Sequence, residues 1–271
     1  MKISFSHLLA LSLVLLIVWS VVSAPVPLQD NNRRSSGATI PIREVLTTIA
    51  AENDVVRTLY TKSIVGAGKK VGLEFDERWE NQGVDAGPLP ALFLSQASAS
   101  LSKQGIGVEL LLGSHMPITP TNAFKGDQIT RFEKILESRE PEFFTDSRTN
   151  LEMAMFPDIA GAQACVTCHN QHPGSPKTDW KLDDVMGATT WSYPHATVSA
   201  EEYLQIINAA RIAFRDAYRS YLEKINTFKN KPEIGSKWPK DGFFVPDEAT
   251  FMKAFEEQAN SKTIYRLLKD Q

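Results

Sequence analysis

Cysteine is scarce in this chain: among 271 residues there are two, Cys165 and Cys168. No second C-x-x-C or H-x-x-x-H segment accompanies them, so the sequence alone supplies no complete tetrahedral zinc site. Long runs of one charge are also missing. The 29 basic and 32 acidic residues leave a formal net charge of -3, and no Lys/Arg run is long enough to follow a phosphate backbone, which argues against a nucleic-acid partner. There is no Walker loop, no G-x-G-x-x-G and no Ser/His/Asp spacing, so a nucleotide enzyme or a hydrolase has no support. No internal repeat is visible, which excludes a solenoid.

What is present begins with the first segment. Lys2 precedes an apolar stretch from Leu8 to Val22, and Val22-Ser23-Ala24 offers the small residues a signal peptidase cuts after. Residues 1–24 therefore read as an export signal, or as a membrane anchor if Pro25 blocks cleavage. Residues 25–39, with Asn31, Asn32, Arg33, Arg34, Ser35 and Ser36, read as a solvated linker. Both readings place the chain outside the cytoplasm, in the periplasm.

Past the linker the apolar period is helical. Val45, Ile49, Val56, Leu59 and Tyr60 predict an amphipathic helix over 42–65, and Pro88-Leu-Pro90 opens a second helix that Gly105 stops. Short β-like runs follow at 108–112, 142–145, 151–156 and 185–193. Between the first two, Asp127 caps a short helix. This mixture reads as α+β. From residue 197 the pattern returns to helix: Ser199 and Glu202 form a capping box before a long amphipathic run to Ile225, residues 229–246 read as a loop, and Asp247 caps a final helix. Residues 40–196 then form one domain and 197–271 a helical extension.

The densest chemistry lies in Cys165-Val-Thr-Cys168-His169. C-x-x-C-H is the attachment signature of c-type haem: two thiols on one short helical turn bond the two vinyl groups, and the adjacent imidazole ligates iron. Random scatter would produce it on the order of once in several thousand chains. A disulfide or a thiol exchanger could use the same pair, but an exchanger belongs on a thioredoxin-like βαβ unit that this pattern lacks, and either leaves His169 without a role. His172 and His169 could join a zinc site only with ligands from elsewhere.

The continuation is more specific than the motif. His172-Pro-Gly-Ser-Pro-Lys-Thr-Asp-Trp-Lys181, then Asp184-Val-Met-Gly-Ala188, together with Arg57-Thr-Leu-Tyr60, Pro88-Leu-Pro-Ala91 and Ser114 to Asn122, resembles the c-type haem sensor domain long catalogued only as a domain of unknown function. That resemblance spans about residues 40–195. It implies a PAS-like fold, with a five-stranded antiparallel sheet, N-terminal helices and one covalent haem c held by Cys165, Cys168 and His169. It also implies bacterial proteins outside the inner membrane that sense redox state or a small gas. Some similar proteins use a further cysteine as second axial ligand; with no third cysteine here, that ligation does not carry over.

His115 and Met116, in a loop after a strand, are candidates for the second axial position, His115 being the stronger; an open or water-bound site, free to take a diatomic gas, is the competing expectation. His172, three residues beyond His169, stays on the proximal side, and His195 reads as a surface residue. Lys177 and Lys181 could face haem propionates, and Trp180 and Trp191 could pack on the porphyrin. Met153, Met155 and Met186 read as core. The expected role is an exported monohaem sensor that signals through a membrane or redox partner protein, with a periplasmic electron-transfer cytochrome as the alternative. No enzymatic activity is expected; a peroxidase-like one would have only His115 as distal base.

Overall fold

The protein is described by a computed structural model over residues 39–269, with side chains to residue 260. The export signal or anchor and nearly all of the linker lie outside the described residues. No described helix is long and apolar enough to cross a membrane.

The chain starts with a short strand, β1 (Ile40–Pro41), and turns directly into helix α1 (Ile42–Leu59). Val45, Leu46, Ile49, Val56 and Leu59 bury one face of that helix, as their spacing requires. At Tyr60 the helix widens into a π-helical stretch, Tyr60–Gly66, before a last turn, α2 (Ala67–Lys70). This widening keeps both Tyr60 and Ile64 buried. Helix α3 (Pro90–Lys103) has Pro90 at its first position, where a missing N–H costs nothing, and ends before Gly105 at φ +67.

The strands β2 (Glu109–Gly113), β3 (Glu142–Thr145), β4 (Glu152–Ile159) and β5 (Val185–Tyr193) fall where the β-like runs predicted them. Helix α4 (Asp127–Ser138) precedes β3, and helix α5 (Gln163–Gln171) lies between β4 and β5. Asp127 is the first residue of α4 rather than its cap; its carboxylate instead accepts the Ser147 N–H at 2.8 Å. A short strand β6 (Thr197–Val198) pairs with β1, and then helix α6 (Ala200–Ile225) begins with the expected capping box, Ser199 N–H donating to Glu202 at 2.8 Å and Glu202 N–H to Ser199 at 3.2 Å. The segment read as a loop over 229–246 contains two short parallel strands, β7 (Glu233–Gly235) and β8 (Phe244–Pro246). Asp247 caps helix α7 (Glu248–Lys269), accepting the Thr250 N–H at 2.8 Å.

The main sheet has four antiparallel strands in the order β2-β5-β4-β3, not the five that the resemblance implied. Where a fifth would pair beside β2, the chain makes one isolated bridge, Ser114 to Ala123. Pro117 and Pro120 explain this: each removes a backbone donor, and Pro120 opens a 3₁₀ turn. The overall class is mixed helix and antiparallel sheet.

Alternate residues of the sheet face two cores. Leu110, Ala154, Trp191 and Tyr193 join the main cluster with α1, α3, α6 and α7, whereas Phe144, Met153, Met155 and Ala188 join Phe124, Phe132 and Ile135 beneath α4. Central strand β5 is buried along its whole length. Beyond β6, helices α6 and α7 bring Ile206, Phe214, Tyr218, Tyr221, Phe251 and Phe255 into the main cluster with Val45, Phe93 and Trp191. The segment on either side of Thr197 therefore has one hydrophobic core. Burying each of these large side chains contributes about 1.5–3 kcal/mol.

Two details of the sheet position helix α5. The register of β4 against β5 shifts between Asp158 and Ile159, and beyond it the Ala160 N–H donates to the Asp184 carbonyl at 2.9 Å while Asp183 N–H returns to the Ala160 carbonyl at 3.2 Å. These bonds close the base of the excursion that carries α5. At Gly187 a Cβ would stand 2.3 Å from the Gly113 carbonyl oxygen, so only glycine lets β5 lie this close to β2.

Candidate haem site

Helix α5 presents Cys165, Cys168 and His169 at positions i, i+3 and i+4, one face of an α-helix. Its other side buries Val166 in a small cluster with Ala160, Trp180 and Met186. Both thiols are free; Cys165 is partly buried and Cys168 exposed, so the pair is not joined as a disulfide. Burial, reinforced by nearby Glu77, holds the Cys168 thiol above its usual pKa. Among the described residues no group of three or more His, Cys, Asp or Glu could hold a bare metal ion, which leaves the zinc reading without ligands.

His169 is half-buried, and its Nδ1 is buried without a hydrogen-bond partner. Burial lowers its pKa from the ordinary 6.5, against a smaller upward pull from Asp158. The imidazole is therefore neutral near pH 7, the form that can ligate a metal.

Trp180 organises the rest. Its ring is 6.4 Å from the His169 ring at 86° and 6.2 Å from the His115 ring at 81°, so one buried indole touches both imidazoles edge-on. The side chain of Asn170, the residue after His169, clamps the backbone of Trp180: the Trp180 N–H donates to Asn170 Oδ1 at 2.8 Å, and Asn170 Nδ2 donates to the Trp180 carbonyl at 3.0 Å. The indole Nε1 is buried and has no partner. Lys177 lies 4.9 Å from the centre of the same ring, stacked as a cation on the indole face, and pairs with Asp179.

The predicted residues separate accordingly. His115 sits in the exposed bend after β2, its ring 5.0 Å from Phe132; burial first, then Lys177, lowers its pKa. Met116 is exposed at 38% and gives its N–H to Ser114 Oγ at 3.0 Å. His172 is occupied at both nitrogens: the Gly174 N–H donates to Nδ1 at 3.0 Å, which fixes the tautomer, and Nε2 faces the Glu77 carboxylate at 3.0 Å. It is not available to iron. His195 is exposed beside Tyr193, at the other end of β5. Trp191 belongs to the main core, away from α5, and Met153 and Met155 fill the cluster under α4.

One pair was not singled out from sequence. Arg57 of α1 donates to both oxygens of Asp158 on β4, at 2.6 and 2.9 Å. Burial opposes the Arg57 charge and Asp158 more than restores it, so its pKa is raised. The Arg57 charge also feels Cys165, and Asp158 acts on His169, so this ion pair lies behind the motif.

Two free thiols and a neutral imidazole share one face of α5, and the imidazole's Nδ1 and the neighbouring Trp180 Nε1 are buried without partners. These residues fit a flat, largely apolar group attached through two sulfurs and one nitrogen. The model of the Tll0287-like family matches residues 36–194. The chain belongs to the Tll0287-like family. This family is c-type haem sensor-like, and membership suggests a haem-binding domain. The Tll0287-like span contains His115, the motif and Trp180, and ends with β5; helices α6 and α7 lie beyond it. No curated protein and no solved structure matches the chain.

Proposed function

We propose that this Tll0287-like protein is an exported haem protein carrying one covalent haem c, which senses redox state or a diatomic gas and passes the signal to a membrane or redox partner protein in the periplasm. The observation that carries the reading is the face of α5: Cys165, Cys168 and His169 together, with His169 Nδ1 buried and unpartnered. Cys165 and Cys168 would hold the haem and His169 would ligate its iron. When bound, the haem supplies a one-electron centre and an iron on which a small gas can sit. Trp180, pinned by Asn170, would pack beside His169 and fix the width of the site. His115, on the other side of the indole, is the candidate for the second axial position. Arg57 and Asp158 would hold the base of the motif against α1.

A periplasmic electron carrier is the second reading, and the exposure of Cys168 favours it, because it leaves the attachment edge open to a docking partner. No enzymatic step is assigned; a peroxidase-like turnover would need His115 as base.

Intact mass after denaturation is expected to exceed the polypeptide by about 616 Da, one haem. Haem extractable into acid acetone would overturn covalent attachment. Spectra then divide the roles. A ferrous Soret band that moves promptly with CO supports gas sensing, and a His115→Ala change in the CO-free spectrum identifies His115 as the displaced ligand. A six-coordinate low-spin spectrum in both oxidation states, unmoved by CO or NO, leaves redox sensing or electron transfer.

A further inference from the structure

On the face of the sheet turned toward α4, at the end remote from α5, lies a cavity of about 300 Å³. Thr190 and Ser192 of β5 line it, whereas Met186, the β5 residue packed beside the haem motif, is at the strand's other end. Met186 and Ser192 are about 20 Å apart along an extended strand, so the two sites are distinct.

The lining has a definite chemistry. Leu111, Leu151 and Met153 supply apolar wall. Thr190 is 1% exposed and its hydroxyl has no hydrogen-bond partner, although it forms part of the cavity wall. A buried hydroxyl without a partner is rare in folded proteins and marks a place where a missing group completes the bond. Ser192, two residues along β5, points from the same face.

The charged residues of the lining are Glu109, Asp146 and Arg148. Both carboxylates are already engaged. Glu109 accepts from the Ser102 hydroxyl. Asp146, 2% exposed, holds its own turn by accepting the Arg148 N–H at 3.1 Å, the Thr149 N–H at 3.0 Å and the Thr149 hydroxyl at 2.9 Å. The Arg148 guanidinium lies against Gly126, whose lack of a Cβ makes room for it, and has no ion-pair partner among the described residues. A free guanidinium fork matches a carboxylate. The resident carboxylates oppose any anion, and Asp127 also acts on the Arg148 charge, so Arg148 can offset one ligand carboxylate and a second negative charge on the same ligand would be repelled.

We propose that this cavity binds a small 2-hydroxymonocarboxylate of about three to five carbons, which its volume accommodates. Arg148 takes the carboxylate, Thr190 and Ser192 take the hydroxyl, and the alkyl body lies against Leu111, Leu151 and Met153. The proposal does not depend on haem.

The test is calorimetric titration of the full chain as purified with 2-hydroxybutyrate, butyrate and malate. Saturable binding of 2-hydroxybutyrate is expected, with butyrate at least tenfold weaker and malate not bound. Arg148→Gln, at an exposed position, should weaken 2-hydroxybutyrate at least tenfold while leaving the circular dichroism melt unchanged. Thr190→Val, close in volume, should shrink the preference for 2-hydroxybutyrate over butyrate; if it unfolds, loss of the amide chemical-shift response of Leu111 and Met153 in Arg148→Gln is the substitute. No saturable heat with 2-hydroxybutyrate, equal binding of butyrate, or unchanged affinity in Arg148→Gln would overturn the proposal.

Discussion

In the main core Tyr60 gives its hydroxyl to the Pro88 carbonyl at 2.8 Å and Tyr218 gives its own to Pro246 at 2.6 Å, and the two rings stack on Phe93 and Phe251 at 4.3 and 3.8 Å. Around α5 the corresponding polar atoms, His169 Nδ1 and Trp180 Nε1, are buried and have no hydrogen-bond partner. The main core has orphans too, at Asn53, Trp191 and Tyr221, but spreads them through a cluster of 38 buried residues; the cluster around α5 has four. The contrast separates a large core from a small satellite cluster. Helices α1, α3, α6 and α7 bury enough apolar surface to offset their ordering. The excursion between Ala160 and Asp184 rests on the small cluster alone, and its unmatched nitrogens and free thiols fit the proposed haem.

The most drastic change to the α5 region is removal of the attachment. Cys165→Ala with Cys168→Ala is expected to abolish covalent haem and to raise amide exchange in residues 163–182 while leaving α1, α3 and α6 protected. Unchanged exchange in that segment would mean it packs well enough unaided. Next in size, Phe251→Ala attacks the other region: a fully buried ring stacked on Tyr218 is lost, and urea unfolding should register about 3–5 kcal/mol, with haem per folded molecule unchanged.

Asp158→Asn strikes the seam between the two regions. It breaks a bidentate pair whose side chains are 27% and 25% exposed, so a loss of about 1–3 kcal/mol is expected in chemical denaturation. It also removes a negative charge from near His169, so the midpoint potential of the haem should move upward in a redox titration. A stability loss with no change in potential would place the pair outside the field of the iron.

The smallest effect is a pH dependence of the haem-free Cys165→Ala, Cys168→Ala protein. Burial lowers the pKa of His169 and of His115 from the ordinary 6.5. Below 6.5 the unfolded chain takes up protons that the folded one refuses, so stability is kept above that pH and lost as pH falls toward the lowered folded values. Thermal melts between pH 7.5 and pH 5 check this, and His169→Gln with His115→Gln should flatten the slope.

How much of the structure is readable from sequence differs between the same two regions. Helix α6 was legible because its start has a local code, Ser199 and Glu202, and its apolar period is long. C-x-x-C-H was legible because its three working residues share one helical turn. The supports of that motif were not: Arg57 meets Asp158 across a separation of 101 residues, and no spacing rule reaches that far. His115 was named for its place in a loop, yet its link to His169 through Trp180 needed the folded chain. The fifth strand was expected by resemblance, and Pro117 and Pro120 argue locally against it. Strands β7 and β8 hid in a Lys-, Pro- and Gly-rich stretch because each is three residues long.

The strand order β2-β5-β4-β3 also sets a timetable. In the main sheet β2 has β5 as its one neighbour, and β5 is made last of the four strands. As the chain emerges from N- to C-terminus, only the hairpin of β3 and β4 can close early; the sheet waits for residues 185–193. Cys165, Cys168 and His169 come out ahead of them, while the surface they will rest against is still half built. For that interval the two thiols would stand on an open, pliable segment, accessible for the attachment of the proposed haem, and the closing of the central strand would then lock the product in place.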